Sequence, residues 1–446
     1  MSSAVQPNDN PSSHPKSAPD RGDDFDAWRA MPTRVEVLIL GGGPAGLEAA
    51  LALRARGLDV HVFEAGKIGA SLRRWGHIRM FSPWEMNTSI VGREISACST
   101  SAIGAHDCPT GAEFVDHYLE PLAASELLRG RIHEQTRALG ATRRGVLKSE
   151  LIGAPERRQR PFRVVWRFTP AGGRPTEGYT ESRFLIDATG VADHPNPTGD
   201  GGVPAPGEEQ FAARIRRDLS ALNPAAGERL GRRVLIVGGG YSAATAGVCL
   251  TESLRSVPGS EVHWAFRGSR FPIAAIDNDP LAERRALTER AHAIASDPPD
   301  GMTIHAGVSV ERFEPRPDGI AVVLRRGDGS SRVVEVDDVL SLTGYRPDLH
   351  LLSELQVHHC YATDGIMRVA AHLLGGAGGG SGDCLTVSSG GLDTLRSPEA
   401  DLFVLGSKSY GRSSQYLLRT GIEQAEQVAD EVLRLSGTAG KPSLRV

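Results

Sequence analysis

The stretch that decides the fold is RVEVLILGGGPAGLEAALALRARG, which spans residues 34–57. Its first seven residues form an apolar, β-branched run that suits a buried parallel strand. A glycine-rich turn follows at once, and the remainder has helical character up to Gly57. A second apolar run, DVHVFE at 59–64, ends in Glu64. This order of strand, G-x-G-x-x-G turn, helix, strand and acid predicts a dinucleotide-binding βαβ unit.

Each position of this first glycine motif has a physical role. Gly41 permits the tight turn, Gly43 lets a pyrophosphate lie against the backbone, and Gly46 lets the helix pack closely on the strand. The unpaired N–H groups at the helix start face the phosphates. Glu64 is placed to accept hydrogen bonds from ribose hydroxyls, and an acid at this place suits FAD. The predicted contacts also include Pro44, Ala45 and Ala65.

A second glycine motif follows roughly 200 residues later. The strand RRVLIV (232–237) leads into a G-x-G-x-x-A turn, a helix, and the strand EVHWAF (261–266). The residues of this turn that we predict to bind cofactor are Gly238, Gly240, Tyr241, Ser242 and Ala243. Arg267 and Arg270, where the first motif has an acid, favour a 2′-phosphate and therefore NADPH. Alternatively, these arginines are ordinary solvated residues, which leaves NADH open.

Composition excludes several classes of protein. The 446 residues carry a formal charge of −4, which gives no electrostatic case for nucleic acid or an anionic membrane as partner. No run approaches about 18 apolar residues, so we expect no transmembrane helix. Residues 1–30 are rich in Pro, Ser, Asp and Asn, which predicts a disordered tail, and they lack the apolar core of a signal peptide. We therefore expect a cytoplasmic protein.

Three further segments resemble a known family. LIDATG (185–190), LTGYRPD (342–348) and DLFVLG (401–406) are similar to strands and crossovers of flavoproteins with two dinucleotide-binding domains. That group includes flavin-containing, N-hydroxylating and Baeyer–Villiger monooxygenases and thioredoxin-reductase-like enzymes. The resemblance implies an α/β fold with two Rossmann-like domains. The FAD domain would comprise residues 31–200 and 335–440, and the NADPH domain, residues 230–334, would be inserted into it.

The resemblance also implies further cofactor contacts. The segment 66–88 would wrap the flavin, with Trp75, His77, Arg79, Met80, Phe81 and Ser82 as candidate contacts. The crossovers and the last strand add Thr189, Gly190, Gly344, Gly406, Ser407 and Lys408. Among all of these, Arg79, Ser82 and Lys408 are the catalytic candidates. The alternatives are a 66–88 loop that packs beneath the FAD domain and a Lys408 that is a surface lysine.

The family resemblance implies an FAD-dependent, NADPH-oxidising monooxygenase. Such an enzyme inserts one oxygen atom of O₂, through a flavin C4a-(hydro)peroxide, into a small substrate that offers N, S or a carbonyl. One alternative is an NADPH-dependent reductase or oxidase, and a second is a redox-sensing flavoprotein. The chain has no C-x-x-C motif, which argues against a dithiol mechanism. Dimers are common among the members of this family, so the resemblance implies a homodimer.

The five cysteines are Cys98, Cys108, Cys249, Cys360 and Cys384. Their odd number and wide spacing argue against a disulfide scaffold. Adjacent His358 and His359 beside Cys360 would point to opposite faces of a strand, so we predict no metal site. Cys360 or Cys384 is either a thiol that reacts near the flavin or a buried, inert cysteine.

Overall fold

The computed structural model describes residues 31–97, 103–223, 230–375, 385 and 390–437. The predicted tail 1–30, Cys98, Cys384 and most of the glycine run 375–383 lie outside the described residues. Twelve α-helices are described: α1 Pro44–Ala55, α2 Ala70–Arg74, α3 Trp84–Asn87, α4 Ile90–Ser96, α5 Gly111–Phe114, α6 Glu120–Ala124, α7 Pro155–Arg158, α8 Tyr241–Ser256, α9 Ala282–Ser296, α10 Met367–Gly375, α11 Leu392–Leu395 and α12 Leu418–Ser436. Fifteen strands accompany them in these ranges: β1 Arg34–Leu40, β2 Val60–Phe63, β3 Ile132–His133, β4 Thr136–Arg143, β5 Phe162–Phe168, β6 Thr176–Asp187, β7 Ile215–Arg216, β8 Arg233–Val237, β9 Glu261–Phe266, β10 Met302–Ala306, β11 Val308–Arg316, β12 Gly319–Arg326, β13 Ser331–Val336, β14 Asp338–Ser341 and β15 Leu402–Val404.

The first sheet has the order β3-β2-β1-β6-β5-β4, and β15 also pairs with β6. Strands β1, β2, β3, β6 and β15 run parallel, whereas β4, β5 and β6 form an antiparallel meander. The register pairs Leu40 with Asp187 and Asp187 with Val404. The carboxyl ends of β1, β6 and β15 therefore lie level at one edge of the sheet, where open parallel sheets bind ligands.

The second sheet is parallel, with the order β10-β9-β8-β14-β7, and a separate antiparallel sheet joins β11, β12 and β13. All of these strands fall between β6 and β15 along the chain. The two parallel sheets, each built around a strand–glycine–helix unit, confirm the α/β class with two Rossmann-like units.

One predicted boundary is wrong. The sequence prediction ended the second nucleotide-binding unit at residue 334, but β14 (338–341) lies inside the second sheet. β14 pairs along its whole length with β8, and Ser341 lies level with Val237. The second unit therefore extends through β14, because this strand completes the parallel sheet that carries the second glycine turn.

Helices α1 and α12 pack side by side although about 370 residues separate them. The buried residues of α12 include Gly421, Ala425, Val428 and Val432, which recur at helical spacing and face the first core. At the far end of α1, Arg56 donates hydrogen bonds to Glu426 and Asp430 of α12. The two helices therefore run parallel, and their N-termini lie at the same end. In the part of the chain that the structure describes, no helix is long and apolar enough to cross a membrane.

Candidate dinucleotide sites

The first candidate site is formed by the loops that leave β1, β6 and β15. Gly41 has a φ of +101°, and a β-carbon there would overlap the Ala188 carbonyl after β6. A β-carbon at Gly406, after β15, would lie 3.1 Å from the Ala45 side chain. A β-carbon at Gly190 would lie 3.6 Å from the Ser407 hydroxyl. The three segments that the sequence singles out are thus packed against one another.

Among the glycines of the first turn, Gly43 is the one that faces unfilled space. It is the N-cap of α1, with a φ of −78°, and no side chain caps the helix. A β-carbon at Gly43 would meet no atom within 4 Å, whereas one at Gly46 would overlap the Gly41 carbonyl. The helix start therefore presents unpaired N–H groups and a positive dipole end to an empty space beside bare backbone. This arrangement suits a pyrophosphate.

Glu64 follows β2 and lies beside the same turn. One carboxylate oxygen accepts a hydrogen bond from the Gly42 N–H at 2.6 Å, and the other accepts from the Gly66 N–H at 2.7 Å. Burial raises the pKa of Glu64, and the two backbone donors oppose that effect. Each oxygen keeps a free lone pair, so the carboxylate can still accept from a ribose hydroxyl. Ala65, the other predicted contact, lies between Glu64 and Gly66.

The three catalytic candidates differ in what they contact. Lys408 is 2% exposed, and its ammonium donates to Asp187 at 2.6 Å and to the Thr189 hydroxyl at 3.0 Å. The alternative of a surface lysine is therefore wrong: the ammonium is held by a buried carboxylate beneath the first site. Ser82 is buried and donates to Asn87, so its hydroxyl stabilises its own turn.

Arg79, the third candidate, is exposed and donates to the Cys108 carbonyl. It lines a cavity of about 360 Å³ together with His106, Cys108, Glu113 and Glu283. Glu283 lies on α9 of the second unit, so this cavity opens between the two units.

The segment 66–88 contacts both units. Trp75 packs against the cores of the first and second sheets, and Met80 packs against the first. The ring of Phe81 contacts the ring of Tyr241, at the start of α8, with centroids 5.1 Å apart. Both ring nitrogens of His77 are buried and have no hydrogen-bond partner in the described structure. Burial lowers the pKa of His77, which keeps the imidazole neutral.

The second candidate site repeats the geometry of the first. Gly238 has a φ of +141°, and a β-carbon there would overlap the carbonyl of Leu342, which follows β14. Gly240 is the N-cap of α8, no side chain caps that helix, and no atom lies within 4 Å of the place a β-carbon would take. Ser242 is exposed and Ala243 is buried in the second core. Arg267 and Arg270, just after β9, are both exposed.

The two crossovers between the units meet near Gly344. The Asn196 N–H donates to the Gly344 carbonyl, and the Thr198 hydroxyl lies 2.8 Å from the Ser341 hydroxyl. Glu208, 4% exposed, accepts from Thr198 and from Arg217. Sequence reasoning missed Glu208, because an acid in a Gly/Pro-rich stretch gives no signal of burial. A cavity of about 480 Å³ opens beside these crossovers, lined by Arg74, Arg137, Ala192, Asp193, His194, Pro195, Arg217, Asp218 and Tyr345.

Comparisons with known proteins bear on both sites. A family model described as pyridine nucleotide-disulphide oxidoreductase matches residues 38–141, and a second model of the same description matches residues 170–373. Each match contains one of the two glycine turns. The chain is a flavoprotein of the pyridine nucleotide-disulphide oxidoreductase group. Members of this family bind FAD and NADPH, and the flavoprotein is an oxidoreductase that depends on both.

Individual relatives are distant. The flavoprotein is 24% identical to the bacilliredoxin reductase Bdr of Bacillus subtilis over 322 residues, which cover 72% of this chain and 80% of that protein. The structure of the bacillithiol disulfide reductase Bdr (YpdA) from Bacillus cereus matches 90% of this chain and 99% of its own, with a TM-score of 0.60 and 18% identity. The flavin-containing monooxygenase from Stenotrophomonas maltophilia matches 91% of this chain and 100% of its own, with a TM-score of 0.56 and 22% identity. These structures share the fold.

The residues present fit both cofactors. The two uncapped helix starts beside Gly43 and Gly240 leave room and donors for two pyrophosphates. The unpartnered nitrogens of His77 are polar atoms that a bound ligand would satisfy. The guanidinium groups of Arg267 and Arg270 are exposed, and their chemistry suits a phosphate.

Proposed function

We propose that the flavoprotein is an NADPH-dependent reductase of a small disulfide and works without a dithiol of its own. The observation that carries this proposal is the match to bacilliredoxin reductase over most of both chains. The overall reaction would convert NADPH, one proton and RSSR into NADP⁺ and two RSH. Bound FAD supplies the two-electron carrier between NADPH and the acceptor. This chain's own residues bind, orient and shield the two dinucleotides.

The cysteines support direct reduction of the acceptor. The structure describes Cys108, Cys249 and Cys360, each as a free thiol. Burial raises the pKa of Cys108 and of Cys249, which disfavours the thiolate that disulfide exchange requires. Cys360 is buried, and the Thr363 hydroxyl and nearby backbone groups lower its pKa. It is widely separated from every other cysteine in the sequence, which gives it no resolving partner of the C-x-x-C kind.

We further propose roles for the two glycine turns. FAD would lie across the first turn, with its adenosine toward Glu64 and its flavin toward Gly406 and Ser407. NADPH would lie across the second turn, with its 2′-phosphate on Arg267 and Arg270. The support is the open space at Gly43 and Gly240. The division of the chain into FAD-binding and NADPH-binding domains belongs to this proposal, with its boundary moved past β14.

An anaerobic assay tests the reductase. Wild-type enzyme and NADPH are mixed without oxygen, and the absorbance at 340 nm is followed after addition of glutathione disulfide, bacillithiol disulfide or cystine. We expect one of these to accelerate NADPH oxidation, with two thiols released per NADPH consumed. The proposal fails if none of these disulfides accelerates NADPH oxidation while the bound flavin is reduced by NADPH.

A monooxygenase is the second candidate, because the sequence has no C-x-x-C motif. It would consume NADPH, one proton, O₂ and a substrate and release NADP⁺, water and the oxygenated product. Its NADPH oxidation would require both oxygen and the substrate, so the aerobic and anaerobic arms of the same assay separate the two functions. The cytoplasmic location and the homodimer stay predictions.

A further inference from the structure

The flavin half of FAD has a defined place if FAD occupies the first glycine turn. The order β2-β1-β6-β15 puts Glu64, after β2, on one side of the turn and Gly406, after β15, on the other. A dinucleotide whose pyrophosphate lies at Gly43 and whose adenosine ribose reaches Glu64 must extend its other half toward Gly406. The residues around Gly406 are therefore those that face the flavin.

The N-termini of α1 and α12 lie together at this place. A β-carbon at Gly421, in the first turn of α12, would lie 3.4 Å from the side chain of Ala45 in α1. The N-caps Gly43 and Leu417 provide no side-chain hydrogen bond to either helix. Two sets of unpaired N–H groups and two positive dipole ends are thus directed to the same side of the site.

The hydroxyl of Tyr416 lies between these two helix starts. A β-carbon at Gly421 would overlap this hydroxyl, and one at Gly406 would lie 3.8 Å from it. The ring packs edge-on against Tyr410, with centroids 5.6 Å apart. The hydroxyl of Tyr416 makes no hydrogen bond to any residue that the structure describes, and the residue as a whole is half-buried. Burial raises the pKa of Tyr416, so its proton is retained and available for donation.

We propose that the Tyr416 hydroxyl donates a hydrogen bond to the pyrimidine carbonyl edge of the FAD isoalloxazine and stabilises the negative charge of the reduced flavin. The inference rests on the proposed binding of FAD at the first glycine turn. Lys408, the other candidate donor, has two of its three N–H groups bonded to Asp187 and Thr189. Tyr416 is thus a hydroxyl with a free proton beside two helix N-termini, where developing negative charge is best accommodated.

The test compares Tyr416→Phe with Tyr410→Phe in the FAD-loaded protein. Tyr410 is a matched control because its hydroxyl bonds Thr420 and belongs to the core. Sulfite adds to oxidised flavin and leaves a negatively charged product, so its Kd measures stabilisation of that charge without any acceptor. We expect Tyr416→Phe to weaken sulfite binding about tenfold, as for the loss of one hydrogen bond to a charged group, and to lower the flavin midpoint potential. Tyr410→Phe should change the sulfite Kd less than twofold.

Loss of FAD from the variant does not end the test. If Tyr416→Phe purifies without flavin, its Kd for added FAD and its melting temperature are measured. A Kd weakened at least tenfold at an unchanged melting temperature supports the contact. Wild-type values for sulfite and potential, or equal losses in both variants, overturn it. A wild-type enzyme that binds FAD and sulfite but reduces no disulfide would refute the reductase and leave the Tyr416 contact intact.

Discussion

At the scale of single residues, glycine serves two purposes within one motif. Gly41 and Gly238 have positive φ, and a β-carbon on either would overlap the carbonyl of a neighbouring crossover. Gly43 and Gly240 have ordinary extended φ and face open space. The first pair is required by the fold itself, whereas the second pair leaves room for a ligand.

Gly240→Ala tests this distinction at the second site. The substitution meets no protein atom, so the melting temperature should stay the same or rise slightly. The methyl group would occupy the space that we propose for the NADPH pyrophosphate, and we expect the KM for NADPH to rise roughly tenfold or more. Steady-state kinetics and thermal unfolding measure the two effects. Gly238→Ala is the control and should lower the melting temperature. An unchanged KM in Gly240→Ala would place NADPH elsewhere.

Arg267→Ala tests the choice of nucleotide. Loss of a charge-assisted contact to a 2′-phosphate should reduce kcat/KM with NADPH roughly tenfold and leave kcat/KM with NADH almost unchanged. Arg255→Ala, an exposed arginine near the opposite end of α8, should change neither value. Equal losses with both nucleotides in Arg267→Ala would contradict a 2′-phosphate contact.

The sequence predicts these glycines because the motif itself forces their geometry. It does not predict the contacts of Ser82 or Lys408, since their neighbours Asn87 and Asp187 are brought to them by the fold. Tyr416, which we propose to contact the flavin, gives no signal either, because its flanking sequence does not distinguish a core tyrosine from one that faces a cofactor.

At the scale of elements, the two sheets share an arrangement of histidines. His61 on β2 stacks on His133 on β3, and His263 on β9 packs against His305 on β10. The ring nitrogens of the pairs lie 2.9 Å and 3.1 Å apart. Burial lowers the pKa of His61, His133 and His305 to about 4, with smaller contributions from nearby arginines. Each pair is therefore neutral at pH 7.

These pairs predict that the protein loses stability as the pH falls from about 6.5 to 4. In this window the unfolded chain takes up protons on histidines that the folded state keeps neutral, so protonation favours unfolding. One such imidazole lowers the free energy of unfolding by roughly 3 kcal/mol between about pH 6.5 and pH 4. Urea unfolding at pH 7, 6, 5 and 4 measures the decline. In His305→Gln the free energy of unfolding should fall less steeply as the pH decreases. An unchanged pH dependence in that variant would show that the second histidine pair does not contribute to it.

The regular elements follow closely from the sequence. The predicted strands at 34–40 and 261–266 match β1 and β9 residue for residue, because apolar β-branched runs bounded by glycine or arginine leave few alternatives. The three-stranded sheet at 308–336 received no prediction, since its solvent-facing arginines and glutamates interrupt the apolar pattern. The end of the second unit was misplaced because β14 is only four residues long.

At the scale of the whole molecule, a single hydrogen-bond network around Glu208 connects the crossovers to the second unit. Glu208 accepts from the Thr198 and Ala205 N–H groups and from Arg217. Burial raises the pKa of Glu208, but Arg217 and the backbone donors outweigh it and hold that pKa below its usual range. Thr198 in turn reaches Ser341 on β14. One buried carboxylate thus connects the crossover that contains Thr198 to the second sheet.

Glu208→Gln should therefore destabilise the protein by about 3 kcal/mol, because it leaves Arg217 without its charged partner in a buried network. The neighbouring exposed residue provides the control, and Glu209→Gln should cost less than about 0.5 kcal/mol. Denaturant unfolding of the two variants at pH 7 gives both values. A loss in Glu208→Gln no larger than that of the control would show that the network is not important for stability.

The parallel packing of α1 against α12 also determines the order in which parts of the protein can fold during synthesis. Residues 34–187 leave the ribosome with the face of α1 uncovered and with no β15 beside β6. The second sheet, by contrast, draws all its strands from residues 215–341 and is complete before the last helix is synthesised. Domains generally fold as units during synthesis. The wall around Gly406 and Tyr416 is complete only after α12 has been synthesised, so a flavin that needs this wall can bind only after residues 418–436 have been made.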